Sequence, residues 1–214
     1  MIISFAEYPT PSEIPVTDWL KNKKLRKYFT PQTSAMIVCV GQVLADMVYD
    51  KSTPFFYSAG KTETDNFSSV FFDILSELPN ESKIKEFSSD MKFSTVNDKF
   101  SQQLFVEELL TNVSPIDLFK ALPNMPVSFI SIEFGLRGEN AVLYSSASSL
   151  LMHSLYTTYN GPVIIGSAKL YADGRVKSGA AMVDKEDIRA SEFLDSDVEA
   201  VTMFEAWAEK GGAL

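Results

Sequence analysis

The sequence predicts an α/β fold in which strands and helices alternate and form layers. Segments rich in β-branched and aromatic residues alternate with segments whose apolar residues recur at helical spacing. Residues 162–168, PVIIGSA, would be apolar on both faces of a strand, which is typical of a sheet covered on two sides. A chain of 214 residues with 45% hydrophobic residues is long enough to bury a sizeable core. We therefore expect one domain over residues 1–214.

The first part of the chain predicts a strand, a helix and a second strand. Residues 1–8, MIISFAEY, have the composition of a strand, which ends at Pro9. Residues 34–50 are apolar on most sides and predict a buried helix, in which Gly41 would allow close packing against a neighbour. Residues 53–60, a short apolar run before a glycine, predict a buried strand.

The middle of the chain predicts helices around a long polar loop. Helices are expected at residues 67–78, 100–110 and 114–122, and residues 126–138 form a further helical or extended segment. Residues 79–98 are polar and have no clear period, so we expect a long loop or insertion there.

The last part of the chain predicts further strands and helices. Residues 141–145 and 175–183 are expected as strands, and residues 148–159 as a helix that Gly161 ends. A closing helix is expected over residues 197–210.

The start of that closing helix has the pattern of a capping box. Ser196 and Glu199 have the spacing at which each side chain bonds the other residue's backbone N–H.

The overall charge argues against binding to nucleic acid. The formal net charge is −9, so the chain as a whole does not neutralise a phosphate backbone. Residues 21–27, KNKKLRK, form one short basic cluster, which is typical of a solvated surface. Its residues Lys23, Lys24 and Arg26 are also candidate contacts for an acidic partner such as an acyl carrier protein.

Several classes of site are excluded by residue counts. One cysteine, Cys39, excludes disulfides within the chain and zinc sites of the CxxC type, and we expect neither a metal nor a cofactor. His153 is the single histidine, which excludes machinery built on two. No apolar window is long enough to span a membrane and no secretory leader is evident, so a cytoplasmic location is expected.

Residues 138–151, GENAVLYSSASSLL, predict a strand that turns sharply into a helix. Enzymes often place a nucleophile at such a corner, because the helix N-terminus offers backbone N–H groups and a favourable dipole to an anion. The corner is crowded with small residues: Ser145, Ser146, Ala147, Ser148 and Ser149.

Three stretches in order resemble the thiolase-like β-ketoacyl synthases. LPNMPVSFISIEFGLRG resembles the helix that precedes their nucleophile elbow, GENAVLYSSASSLLMHSL the elbow itself, and NGPVIIGSAKL the strand that follows. LRKYFTPQTSAMIVCVGQVL and DGRVKSGAAMV resemble their first long helix and the strand that closes the N-terminal half. The resemblance implies a half-fold, a mixed five-stranded sheet covered by helices on both faces, with a poorly matching insertion at about residues 79–112.

The departures from that family bear on catalysis. The resemblance places the remnants of the elbow at Gly138, Asn140, Ala147 and Ser148. The family's catalytic cysteine aligns with Ala147, its proline after the elbow glycine is Glu139, and its two histidines belong to a second half that is not in this sequence. Claisen condensation needs a thiolate and oxyanion donors, and a methyl group supplies neither.

The resemblance therefore implies a non-catalytic subunit. It would pair with a full-length synthase or with itself, as a homodimer or heterodimer, and shape the acyl tunnel in type II fatty-acid or polyketide synthesis. In the family the N-terminal halves dimerise through a strand near the elbow. Candidates for the tunnel or the interface are Phe129, Phe134, Tyr144 and His153.

Two other functions remain open from the sequence. Ser146 or Ser148 could serve a small acyltransferase or thioesterase, which would need a base within hydrogen-bond reach. His153 lies five residues beyond Ser148 on the following helix, and this spacing points it away from the corner. The other function is a binding module for an acyl chain or a carrier protein.

Overall fold

The computed structural model describes residues 1–45, 47–60, 122 and 124–211. The chain divides into two units, residues 1–62 with 122–214, and residues 63–121. All statements below concern the first unit. The expected elements between residues 67 and 122, and the insertion at 79–112, lie outside the described residues.

A mixed five-stranded open sheet forms the centre of this unit. Its strands are β1 (Ile2–Tyr8), β2 (Phe55–Ser58), β3 (Asn140–Leu143), β4 (Val163–Leu170) and β5 (Val176–Val183). Across the sheet the order is β1-β5-β4-β2-β3. β5 runs antiparallel to both of its neighbours, whereas β2 is parallel to β3 and to β4. The prediction of an α/β fold is confirmed.

Helices cover both faces of this sheet. The described α-helices are α1 (Pro31–Leu44), α2 (Met125–Phe134), α3 (Ala147–Leu155), α4 (Lys185–Ala190) and α5 (Ala200–Glu209). Short 3-10 segments cover Pro11–Glu13, Val16–Trp19 and Lys23–Tyr28. One face carries α1 and α2, and the opposite face carries α3, α4 and α5.

β4 shows why two helical layers are needed. Successive side chains of a strand point to opposite faces. Ile164 accordingly packs in the core beneath α1 and α2, which we call the α1 core, and Ile165 packs in the core beneath α3 and α5, which we call the α3 core. Both side chains are fully buried. An apolar run without alternation thus becomes a central strand with a core on each side.

Two helices have different bounds from those expected. α1 begins at Pro31, earlier than residue 34, because the Thr30 hydroxyl accepts the N–H of Thr33 and the proline needs no N–H at the first turn. α3 ends at Leu155, well before Gly161. The next residue, Tyr156, donates its N–H to the carbonyls of Met152 and His153 and so caps the helix. Local caps therefore set these ends.

The expected capping box at Ser196 and Glu199 is wrong. α5 begins at Ala200, and Glu199 makes no side-chain cap bond because its carboxylate bonds the ammonium group of Lys169, 2.7 Å away. A true capping box exists at α4, a helix that the sequence analysis missed, where Asp184 and Asp187 bond each other's backbone N–H groups.

Gly41 permits the close packing expected of it. A Cβ atom at this position of α1 would overlap the indole ring of Trp19, which lies on the second 3-10 segment. The absence of a side chain therefore lets the N-terminal loop lie directly on the buried helix.

We predict that Gly41→Ala destabilises the fold although alanine is the better helix former. The higher helix propensity of alanine alone would raise the free energy of unfolding by about 1 kcal/mol. Overpacking against the indole ring lowers it by about 1–3 kcal/mol. Unfolding in urea should show a net decrease in the free energy of unfolding. In the double variant with Trp19→Leu the loss should be smaller than the sum of the two single losses. A stabilised Gly41→Ala variant would contradict this account.

Candidate functional site

The elbow of the chain is built by the end of β3 and the first turn of α3. Ser146 has extended backbone angles, φ −69° and ψ 173°, and its hydroxyl accepts the N–H of Ser149 at 3.5 Å. A serine in this conformation is a common helix N-cap. Ala147 is therefore the first residue of α3, at the place where the sequence predicted the corner.

The N-terminus of α3 is occupied by the chain's own backbone. The N–H of Ala147 donates to the carbonyl of Val198 at 2.8 Å, and the N–H of Ser148 donates to the carbonyl of Ser196 at 3.3 Å. Ser146 also forms an isolated antiparallel bridge with Glu199. Ala147 itself is 0% exposed. The N–H groups that would stabilise an oxyanion at such a corner are thus already bonded.

The serine hydroxyls at this corner bond mainly to one another. The Oγ of Ser146 lies 3.1 Å from the Oγ of Ser148 and 3.4 Å from that of Ser149. The Oγ of Ser145 is buried and has no hydrogen-bond partner within the described part of the chain. The structure therefore places the two candidate serines, Ser146 and Ser148, in a hydroxyl cluster, and neither hydroxyl is hydrogen-bonded to an imidazole, an amine or a carboxylate among the described residues.

A second group of serines ties the ends of β2 and β4 to the elbow. The Ser58 hydroxyl donates to the carbonyl of Ser145 at 2.8 Å, and the Ser167 hydroxyl donates to the carbonyl of Ser58 at 2.9 Å. These bonds satisfy backbone carbonyls where parallel strands end. They connect β2 and β4 to the elbow.

His153 packs against the sheet and makes no hydrogen bond to the serines. Its ring stands edge-on to that of Phe56, with 4.7 Å between centroids and 86° between planes. Its Nε2 is buried and has no hydrogen-bond partner in the regions described here. The only histidine of the chain therefore lies on α3 with its ring against Phe56, and no hydrogen bond joins it to the hydroxyl cluster.

The remaining elbow positions have structural roles. A Cβ at Gly138 would overlap the backbone of Ser52, so this glycine lets two loops touch. Glu139 accepts a hydrogen bond from the Thr157 hydroxyl at 2.8 Å and so ties the start of β3 to the loop after α3. Asn140 is exposed at the start of β3.

The four candidate tunnel or interface residues lie in different places. Phe129 is buried on α2 and packs edge-on against Phe29, with centroids 4.8 Å apart. Phe134 packs on the α1 core, whereas His153 lies on the opposite face of the sheet. Tyr144 is half exposed just after β3. The structure does not bring these four side chains together into one lining.

The basic cluster lies on a short 3-10 segment at the surface. Lys23, Lys24 and Arg26 are all exposed, and their side chains form no ion pair within the described ranges.

Two buried or half-buried lysines on the sheet were missed by the sequence analysis. Lys169 on β4 lies opposite Lys177 on β5. Lys169 pairs with Glu199, the residue before α5, and Lys177 pairs with Glu205 on α5. A lysine at the end of an apolar strand was the available signal. Its partners could not be deduced because they lie 28 to 30 residues away in the sequence.

The described residues contain no group of three potential metal ligands. Among the described helices, none is long and apolar enough to cross a lipid bilayer. The sequence matches no family model and no curated protein.

Cys39 is a buried core residue. It is 0% exposed on α1, and its Sγ donates to the carbonyl of Ser178 at 3.4 Å. Burial raises the pKa of the thiol above its usual 9.0, against smaller opposing effects of hydrogen bonds. A thiol that stays protonated is a poor nucleophile.

We predict that the chain loses stability under alkaline conditions in part through Cys39. Because the folded state holds the thiol proton more tightly than the unfolded state, this contribution is complete below pH 9.0 and is lost as the pH rises through the folded-state pKa. Burial also raises the pKa of Tyr8, to about 12, which extends the loss to higher pH. The free energy of unfolding, measured as a function of pH, should decline less steeply above pH 9 in Cys39→Ala than in the parent chain. An unchanged slope would contradict the role of the thiol.

We predict that Ser146 and Ser148 differ in their effect on stability. Ser146→Ala removes the N-cap of α3 and should cost about 0.5–1 kcal/mol. Ser148→Ala removes a hydroxyl that bonds only another hydroxyl and should change stability by less than about 0.5 kcal/mol. Chemical denaturation of both variants measures this difference, and equal losses would show that Ser146 is not the cap.

Proposed function

We propose that this chain is a non-catalytic β-ketoacyl-synthase-like subunit that pairs with a full-length synthase or with a second copy of itself. The observation that carries the proposal is Ala147, fully buried at the first position of α3 with its N–H bonded to the carbonyl of Val198. The corner has the form of a nucleophile elbow. At Ala147, however, it has no nucleophilic side chain, and the N–H is already bonded. It supports a structural role.

The chemistry of condensation has no source in the residues at this corner. A synthase needs a thiolate that attacks a thioester, and donors that stabilise the resulting oxyanion. The chain's only thiol, Cys39, is on α1, and its pKa is raised by burial. The chain's only imidazole, His153, packs on Phe56. A partner would have to supply the reaction.

The outer edge of β3, which pairs with no further strand among the described residues, supports pairing with another chain. β3 bonds β2 on one side, through the carbonyls of Glu139 and Leu143, and has no other strand beside it in the described sheet. In a strand, alternate residues direct their N–H and C=O groups to opposite sides. Those of Asn140 and Val142 therefore face outward. Such an edge is a template for strand addition.

Exposed apolar side chains lie on the segment that follows β3. Met152 and Tyr156 are one helical turn apart on α3 and are 36% and 75% exposed, and Tyr144, directly after β3, is 50% exposed. α3 is tied to β3 at both ends, by residues 144–146 and by the hydrogen bond between Thr157 and Glu139. On the basis of these two connections we treat the edge and the side chains as one candidate surface, which we call the β3 surface.

The wider role follows from the resemblance to synthases. We place the subunit in type II fatty-acid or polyketide synthesis, where the β3 surface would contact the synthase and help shape its acyl tunnel. In this proposal Tyr144 contributes to the interface. The exposed Lys23, Lys24 and Arg26 form a separate contact for an acidic acyl carrier protein.

We predict that charges placed on the β3 surface abolish pairing. The double variant Met152→Lys, Tyr156→Lys buries two ammonium groups in the proposed interface, which should weaken association by at least about a hundredfold. Native purification from the source cell, light scattering and mass identification would measure the stoichiometry. The expected species is a homodimer, or a one-to-one complex with a full-length synthase, that the double variant does not form.

Ile132→Lys is the matched control. Ile132 is 64% exposed, but it lies on α2 on the opposite face of the sheet, so this charge should leave association unchanged. A wild-type chain that is monomeric and binds no synthase would overturn the proposal. Binding of a carrier protein by that monomer would favour the binding module instead.

A further inference from the structure

Residues 193–199 cross the corner between β3 and α3, and we call this segment the elbow strap. It joins α4 to α5. Its carbonyls at Ser196 and Val198 accept the N–H groups of Ser148 and Ala147. The strap therefore lies where a ligand carbonyl or oxyanion would have to bind.

Apolar contacts fasten part of the strap. Phe193 stands edge-on to Trp207 of α5, with 6.3 Å between centroids, and Leu194 and Val198 pack on the α3 core. These contacts connect the strap to α5. Val198 also reaches the core to which β4 contributes Ile165, whereas Glu199, the last residue of the strap, contacts β4 through its charge.

A salt bridge makes that second connection. The Nζ of Lys169 on β4 lies 2.7 and 2.9 Å from the two carboxylate oxygens of Glu199. Both side chains are about one quarter exposed, at 26% and 25%. Partial burial makes such a pair stronger than one at the open surface. Glu199 is also the residue that bridges to Ser146.

We propose that the elbow strap is a latched cover over the α3 N-terminus, and that the ion pair between Lys169 and Glu199 is its latch. The cover mimics a substrate carbonyl by accepting the N–H groups of Ala147 and Ser148. Breaking the latch frees the strap's last residues and exposes Ala147. This inference concerns a conformational device within the chain and stands apart from its choice of partner.

The chain contains a matched pair for comparison. Lys177 lies opposite Lys169 in the register of β4 and β5, and it pairs with Glu205 on α5 at 2.5 Å. Both acidic residues lie on or next to the same helix and face the same side of the sheet. Glu199 belongs to the strap, however, and Glu205 does not. Each variant removes one carboxylate that pairs with a lysine of the sheet, but Lys177 keeps a second carboxylate, that of Glu7 at 3.6 Å. Glu205→Gln therefore controls for the loss of a charge on α5 outside the strap.

An introduced thiol can report the opening. Ala147→Cys places a small reporter beneath the strap, and the unmodified parent, whose Cys39 is buried, serves as the blank. Labelling by a water-soluble disulfide reagent is then followed in the full chain. The reporter should label slowly. Adding Glu199→Gln should raise the rate by about fivefold, the effect of roughly 1 kcal/mol, whereas adding Glu205→Gln should not. Lys169→Met should act as Glu199→Gln does.

Amide hydrogen exchange provides a second measurement without the reporter. In Glu199→Gln the amides of Ala147 and Ser148 should exchange about fivefold faster than in Glu205→Gln, while those of α1 stay unchanged. Equal rates in the two variants would overturn the latch. Rapid labelling of Ala147→Cys with Glu199 intact would overturn the cover itself. Neither result would bear on whether the β3 surface binds a partner.

Discussion

The rest of the described structure depends on burying β4 on both faces. Ile164 and Ile165 send their side chains into different cores, so helices must cover both sides of the sheet. α5 meets this need on the α3 side, and it lies close because β5 has Gly179, where a Cβ would overlap Phe204. The approach of α5 brings its preceding segment across the elbow. The closed corner is thus a consequence of core packing.

The elbow shows that local sequence determines shape more directly than chemistry. A short strand, an N-cap serine and small residues suffice to build the corner, whether or not it reacts. Its reactivity depends on groups contributed from elsewhere, above all on what meets the N–H groups of Ala147 and Ser148. In this chain those groups are the carbonyls of Val198 and Ser196, more than 45 residues away in the sequence.

The five strands could be predicted because each is encoded by its own residues. The run at β4 and the β-branched and aromatic residues of β1 needed no distant information. The start of α5 could not be predicted, since Ser196 and Glu199 fit a capping box in sequence. In the structure the Glu199 carboxylate bonds the distant Lys169 instead of a backbone N–H. Likewise, α4 could not be predicted from periodicity because it has only six residues, and its capping box of Asp184 and Asp187 was not recognised. The occupied N-terminus of α3 also required contacts between segments far apart in the chain.

The four-residue length of β3 limits how much its backbone can contribute to pairing with another strand. A short edge offers few backbone groups to a second strand, so β3 by itself is a weak template for incorrect pairing, whereas β1 at the other edge of the sheet is seven residues long. The same shortness means that the backbone contributes little selectivity, which must come from the side chains beside it. Evolution of a new partner would then need only a few substitutions on the outer surface of α3, with both cores left intact.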